Sequence, residues 1–248
     1  MLRKIIPMIS IPILTITGIY VTKSDVTATT INTLNEPETL TQTVIPLDSP
    51  IVALTARFEN DEHTYKGYGT GVFISENTIL TAAHVVTEDN TKLKEIEFVS
   101  NGIIFRVEPE DVIFYNRTFS SANSDDIALI KVRRMKNHKY YNITMQDKLS
   151  PIRITGYPAD KETKPDLNVG EPYTTTGETI TIKRDLWYTT AYTLSGMSGS
   201  PLLNDKNEII GLHVGKATTD DLIDREKKFS TSIKFTKEQL EWIKSKAN

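Results

Sequence analysis

Cysteine is absent from this chain of 248 residues. That removes three chemistries at once: disulfide stapling, a thiolate nucleophile and a cysteine-ligated zinc site. An excess of charge of one sign is missing too. Lys and Arg number 29 against 32 Asp and Glu, a net charge of −3, which leaves no electrostatic footprint for nucleic acid. The balance would survive loss of residues 1–43, because Arg3, Lys4 and Lys23 there offset Asp25, Glu36 and Glu38. Nor is there a long unbroken apolar run. Ile5 to Val21 is interrupted by Pro7 and Pro12, whereas a membrane-spanning helix needs about 20 consecutive apolar residues. No internal repeat is visible. Histidine is sparse, 4 in all, so each one can be weighed on its setting.

What stands at the amino end is the layout of a secretory signal peptide. Met1-Leu2-Arg3-Lys4 is basic, the run to Val21 is apolar, and Val26-Thr27-Ala28 offers small residues for cleavage after Ala28. Residues 1–28 are therefore expected to be removed and the mature protein to be extracellular, without a stable membrane association. Thr29 to Thr43 is polar and free of aromatics. Such a segment buries too little surface to fold alone, and its position suits a propeptide.

From about Val44 onward the chain reads as short strands. Ile51–Phe58, Gly67–Ser75, Thr78–Thr81, Ile103–Val107, Val112–Tyr115, Ile127–Val132, Ile152–Thr155, Thr179–Lys183, Leu186–Tyr192 and Ile209–Val214 are apolar and β-prone. Turn signals such as Glu76-Asn77 and Asn204-Asp205-Lys206-Asn207 separate them. Short strands without long helical patterns between them predict an all-β sandwich or barrel. One helix is signalled, over Lys237–Lys244. Thr236 and Gln239 have the spacing of a capping box, and Phe235 and Leu240 that of a hydrophobic staple.

Three segments carry chemistry. In Ser195-Gly196-Met197-Ser198-Gly199-Ser200-Pro201 the glycines allow a tight turn. Such a turn can aim the N–H groups of Gly196 and Ser198 at one spot, an oxyanion hole. Ser198 would be a poor nucleophile without a base to take its proton. His84, in Thr81-Ala82-Ala83-His84, is the candidate base. A carboxylate must then hold the imidazole; Asp125 and Asp126, both just before the apolar run Ile127–Ile130, compete for that role. His63 and His138 sit among polar residues and read as surface side chains. Ser195 and Ser200 read as turn hydroxyls bonding locally.

The order His, Asp, Ser, with the segments TAAH, DIAL and GxSGS around them, resembles the chymotrypsin-like serine peptidases. The opposite order, and GxSxG rather than GMSGS, marks α/β-hydrolases. The resemblance implies two packed antiparallel β-barrels with a C-terminal helix. Residues 44–135 would carry His84 and Asp126, and residues 136–248 Ser198 and the specificity pocket. It also implies that the triad aspartate directly precedes its strand, which favours Asp126. Peptide bonds would be hydrolysed through an acyl-enzyme with no metal or organic cofactor, on protein or peptide substrates, by a monomer.

Most trypsin-like relatives carry an aspartate just before the nucleophile; here that residue is Met197. Together with Ile154-Thr155-Gly156-Tyr157-Pro158 and the run Ser198 to Gly215, this is similar to the bacterial branch of V8-type glutamyl endopeptidases and staphylococcal exfoliative toxins. That branch usually has asparagine where Met197 stands. Its pattern implies a pocket for a glutamate side chain made by Thr193, five residues before the nucleophile, and His213, fifteen after it. The toxins add Lys216. Imidazole, hydroxyl and ammonium can all give a buried carboxylate charge-assisted hydrogen bonds. V8-type enzymes begin with a Val-Ile-Leu-Pro segment whose α-amino group helps hold the glutamate. Val44-Ile45-Pro46-Leu47 is similar, with Leu and Pro exchanged. The alternatives are a catalytically silent binding protein on the same fold and a serine peptidase of different specificity.

Overall fold

The computed structural model describes residues 40–117, 124–216 and 230–247. The expected signal peptide and most of the expected propeptide lie outside them. In chain order the strands are β1 (Thr41–Gln42), β2 (Ile51–Glu59), β3 (Thr64–Ser75), β4 (Thr78–Thr81), β5 (Lys92–Ser100), β6 (Ile103–Val107), β7 (Val112–Phe114), β8 (Ala128–Lys131), β9 (Pro151–Gly156), β10 (Tyr173–Lys183), β11 (Leu186–Thr189), β12 (Pro201–Leu203), β13 (Ile209–Lys216) and β14 (Ser230–Lys234). One helix, α1 (Lys237–Ala247), follows them.

Two antiparallel sheets share these strands. The first runs β6-β5-β2-β3-β4-β8-β7 and curls into a half-barrel whose edge strands β6 and β7 do not pair with each other. The second runs β1-β10-β11-β14-β13-β12-β9, and β9 also pairs with β10, which closes six strands into a barrel and leaves β1 attached outside. The chymotrypsin-like two-barrel expectation holds, with closure by hydrogen bonds in the second half alone. Closure removes the exposed edges that the first sheet retains.

Alternation drives both halves. β2 buries Ile51, Leu54, Ala56 and Phe58, and packs with Val72, Ile79, Ile96 and Leu129 into the larger core. Inside the barrel a smaller cluster holds Ile152, Ile154, Trp187, Met197, Leu202 and Ile210. Four strands escaped the sequence pattern, the two-residue β1 inside the expected propeptide among them. β5 alternates apolar residues with Lys and Glu and buries only Ile96, Phe98 and Ser100. β12 is three residues long. β14 reads Ser-Thr-Ser-Ile-Lys, polar in sequence but buried at Ser230, Thr231, Ser232 and Ile233. Its hydroxyls are tolerated because some are bonded: Ser230 shares a 2.7 Å bond with Thr189, and Thr231 donates to the Gly215 carbonyl at 3.2 Å.

The capping box forms as expected. The Gln239 N–H donates to Thr236 Oγ1 at 3.2 Å, and the Thr236 N–H donates to Gln239 Oε1 at 2.9 Å. The helix then crosses back to the first sheet, where Ser75 and Thr78 donate to the Ala247 carbonyl and Lys131 to that of Lys246. Those donors satisfy carbonyls that a helix end leaves orphaned. One expectation fails. His138 is buried, not a surface residue: it is 6 % exposed, its Nδ1 bonds the Lys139 carbonyl and its Nε2 the Ser100 hydroxyl, and its ring lies 4.2 Å from that of Phe73. Both nitrogens being satisfied makes it a structural residue.

Candidate active site

The β4–β8 register builds the base. Thr81 pairs with Ala128, so the residues after Thr81 run alongside those before Ala128. The chain leaves β4 through buried Ala82 and Ala83 into one turn of 3-10 helix, Ala83–Val85. Small side chains there let the turn lie close to Asp126, whose carbonyl accepts from the Ala83 N–H at 3.3 Å. Asp126 is 0 % exposed. Its Oδ1 takes the His84 backbone N–H at 2.9 Å and its Oδ2 bonds His84 Nδ1 at 2.6 Å. Because a carboxylate only accepts, Nδ1 carries the proton and Nε2 is left with its lone pair. Asp125 is occupied elsewhere, accepting from Asn116 at 3.1 Å. The rivalry between the two aspartates is resolved by geometry.

The nucleophile loop is shaped by two left-handed glycines. Gly196 has φ of +94° and Gly199 of +84°, a region that L side chains rarely adopt. A Cβ on Gly196 would also stand 2.7 Å from both Ala159 N and Tyr157 O. Within the loop the Met197 N–H is taken by the Leu194 carbonyl at 3.1 Å. Among the described residues the N–H groups of Gly196 and Ser198 have no protein acceptor, as an oxyanion hole requires. Met197 itself is 0 % exposed in the apolar barrel cluster; where trypsin-like relatives anchor a charge, this chain packs a thioether.

Thr70 joins the halves, and sequence reading missed it. Its N–H donates to the Ser198 carbonyl at 2.8 Å, and its hydroxyl donates to the Gly196 carbonyl and accepts from the Tyr157 N–H, both at 3.0 Å. Its own carbonyl takes the Thr81 hydroxyl at 2.8 Å. One β3 residue thereby ties the nucleophile loop to the strand that leads into His84. The signal was only a threonine between Gly69 and Gly71; nothing local marks its partners in the other half, 87 and 126 residues away at Tyr157 and Gly196.

His213 lies beside the same loop. The Gly199 N–H donates to its carbonyl and its own N–H donates to that of Ser200, each at 2.8 Å. The side chain is 2 % exposed, and Nδ1 has no partner among the described residues. Burial, with the charges of His84 and Lys216 adding to it, pushes its pKa down to about 3 against a weaker pull from the Thr231 backbone. The ring is therefore neutral at pH 7. Thr193 is 3 % exposed in the loop before the nucleophile. Lys216 is exposed at the end of β13, with its charge felt at both His213 and Asp160. Val44 stands apart, 97 % exposed after β1, and no bond joins it to Thr193, His213 or Lys216 among the described residues. Ser200 is no locally bonded turn hydroxyl; it is 0 % exposed and its Oγ has no partner among the described residues.

Two solved structures share this arrangement of sheets. A Glu endopeptidase in complex with MPD superposes with a TM-score of 0.65 at 21% identity, over 86% of this chain and 98% of the other. HL collagenase gives the same TM-score of 0.65 at 15% identity, over 84% and 97%. At such identities the likeness is one of fold. The trypsin-like peptidase domain matches residues 69–212 in sequence, from the strand of Thr70, through His84, Asp126 and Ser198, to the residue before His213. The chain belongs to the trypsin-like peptidase family and is a serine protease acting on peptide substrates.

Proposed function

We propose that this serine protease is a secreted endopeptidase that cleaves after glutamate, of the V8-type and exfoliative-toxin-like branch. The observation that carries the specificity is His213, a buried imidazole bonded through its backbone to both flanks of Gly199-Ser200 and without an anionic partner among the described residues. A neutral imidazole keeps one N–H donor, which a substrate carboxylate can accept. Thr193 offers a hydroxyl, and Lys216 a charge that stabilises the anion from the rim. The Glu endopeptidase among the fold neighbours supports the same reading.

The reaction follows from the triad. Ser198 Oγ attacks the carbonyl carbon as His84 Nε2 takes its proton, and Asp126 stabilises the imidazolium that forms. The oxyanion is held by the Gly196 and Ser198 N–H groups. Collapse of the adduct expels the amine, which takes the proton from His84, and leaves an acyl-enzyme. Water activated by His84 then releases the new carboxylate and restores Ser198. The leader pattern in residues 1–28 supports export, and the polar segment that follows supports a precursor cut between Thr43 and Val44. The exposure of Val44 suits such a cut.

Cleavage profiling of the processed protein on a peptide library tests the reading, with Ser198→Ala as the control. The expected result is cleavage after Glu, Asp much poorer, and no activity in the control. Cleavage mainly after Lys, Arg or large apolar residues would refute the pocket. Full activity in the control would move the nucleophile, with Ser200 the first alternative.

A further inference from the structure

Three buried side-chain atoms lack a hydrogen-bond partner among the described residues: Ser200 Oγ, His213 Nδ1 and Ser232 Oγ. They are not scattered. His213 is the register partner of Ser232 across β13 and β14, and on its other side its N–H bonds the Ser200 carbonyl. The three residues thus form a lateral row over adjacent strands, and cross-strand neighbours have Cβ atoms about 5 Å apart. The row faces the barrel interior. Gly211, two residues before His213 and so on the same face, has its Cβ position 3.1 Å from Trp187 and 3.2 Å from Leu202, both members of the interior cluster. Ser232 is itself paired with Trp187. Exposures of 0 %, 2 % and 0 % shut bulk water out of the row.

Leaving three polar groups unpaired in one apolar interior would cost about 1–3 kcal/mol each. Buried waters typically make about three hydrogen bonds to such groups, and serine hydroxyls can donate or accept as needed. The imidazole sets the polarity. Nδ1 is the buried ring nitrogen without a partner among the described residues, and a hydroxyl-bound water can donate to it, which leaves the proton of the neutral ring on Nε2.

We propose that Ser200 and Ser232, through a shared buried water, donate to His213 Nδ1 and hold the neutral ring in its Nε2–H form. They are positioning residues for P1 recognition, acting through His213. The row supplies the donor that a tautomer with a free Nδ1 lone pair requires, without introducing a buried charge beside the ring. Its consequence for glutamate substrates rests on the specificity proposed above; the tautomer itself does not.

The test compares Ser232→Ala, Ser232→Val and Ser232→Thr, with Ser200→Ala, in the full chain. Valine and threonine have nearly the same shape, so only the hydroxyl separates them. Imidazole nitrogen chemical shifts of His213 read the tautomer. Wild type and Ser232→Thr are expected to hold the Nε2–H form, and Ser232→Ala, Ser232→Val and Ser200→Ala to show loss of it or a mixture. Processed samples should lose Glu over Gln discrimination at P1 about tenfold in the same three variants, the scale of one weakened polar contact. An unchanged tautomer in Ser232→Val and Ser200→Ala would overturn the relay, as would equal loss in Ser232→Thr and Ser232→Val. A tautomer that follows the hydroxyl in a protein with no preference for Glu would uphold the relay and sink the specificity reading instead.

Discussion

His84 and His213 stand beside the same nucleophile loop in opposite surroundings. His84 is 30 % exposed and has the Asp126 carboxylate at 2.6 Å. His213 is 2 % exposed and has serines and apolar side chains around it, with no anion bonded to it among the described residues. The first environment is ready to stabilise a proton acquired during the reaction. The second keeps its imidazole neutral, so that an anion must be brought to it. A third histidine, His138, is buried with both nitrogens bonded within the fold and offers nothing to a substrate. Burial alone therefore does not mark a functional histidine; what matters is which ring nitrogen the fold leaves unpaired, and toward what.

Removing the anion from His84 should have the largest effect. Asp126→Asn preserves the size of the side chain but loses the charge and can reverse the tautomer, so kcat is expected to fall by on the order of 10⁴ with the fold intact. Steady-state kinetics alongside circular dichroism check this. A loss below tenfold would make the two histidines equivalent and end the comparison.

Removing His213 should act on substrate choice. His213→Ala is expected to reduce kcat/KM for Glu substrates by roughly 10²-fold more than for neutral ones, because the P1 carboxylate then loses the buried imidazole donor. Equal losses on both substrates would make His213 a structural residue like His138.

The same burial predicts a pH signature. In the folded chain the pKa of His213 lies at about 3, while in the unfolded chain it returns to about 6.5. Between those values the unfolded state binds a proton that the folded state refuses, so stability falls as pH drops through that window. By about pH 5 the loss attributable to His213 is on the order of 2 kcal/mol. Denaturant unfolding of wild type and His213→Gln at neutral pH and near pH 5 measures it. The glutamine variant should show a shallower decline, and parallel curves would contradict the buried neutral ring.

The smallest effect concerns Val44. If its α-ammonium supplements His213 in holding the carboxylate, one extra residue before Val44 should lower kcat/KM on Glu substrates by about tenfold or less, as expected of a partly screened charge. Equal kcat/KM for native and extended forms would remove Val44 from the pocket and leave His213 acting without it.

Sequence by itself determined the elements whose signals are local. Short β-prone runs bounded by turn signals placed Thr78–Thr81 and Ile103–Val107 to the residue, and the capping box placed the start of α1. Glycines flanking Ser198, and the small residues before His84, were legible because backbone conformation at a turn is imposed by the residue that occupies it. Tertiary structure alone decided what depends on partners distant in the chain. Thr70 gained its role from Gly196, Ser198 and Tyr157, and His138 gained burial from Phe73 and Ser100. The polar strand Ser230–Lys234 became interior because β11 and β13 enclose it. Its serine beside His213 has no meaning in the one-dimensional pattern, where a hydroxyl reads as surface. The physical reason is that local conformation is set by each residue's own sterics, whereas the cost of a buried polar atom depends on what the fold brings to face it.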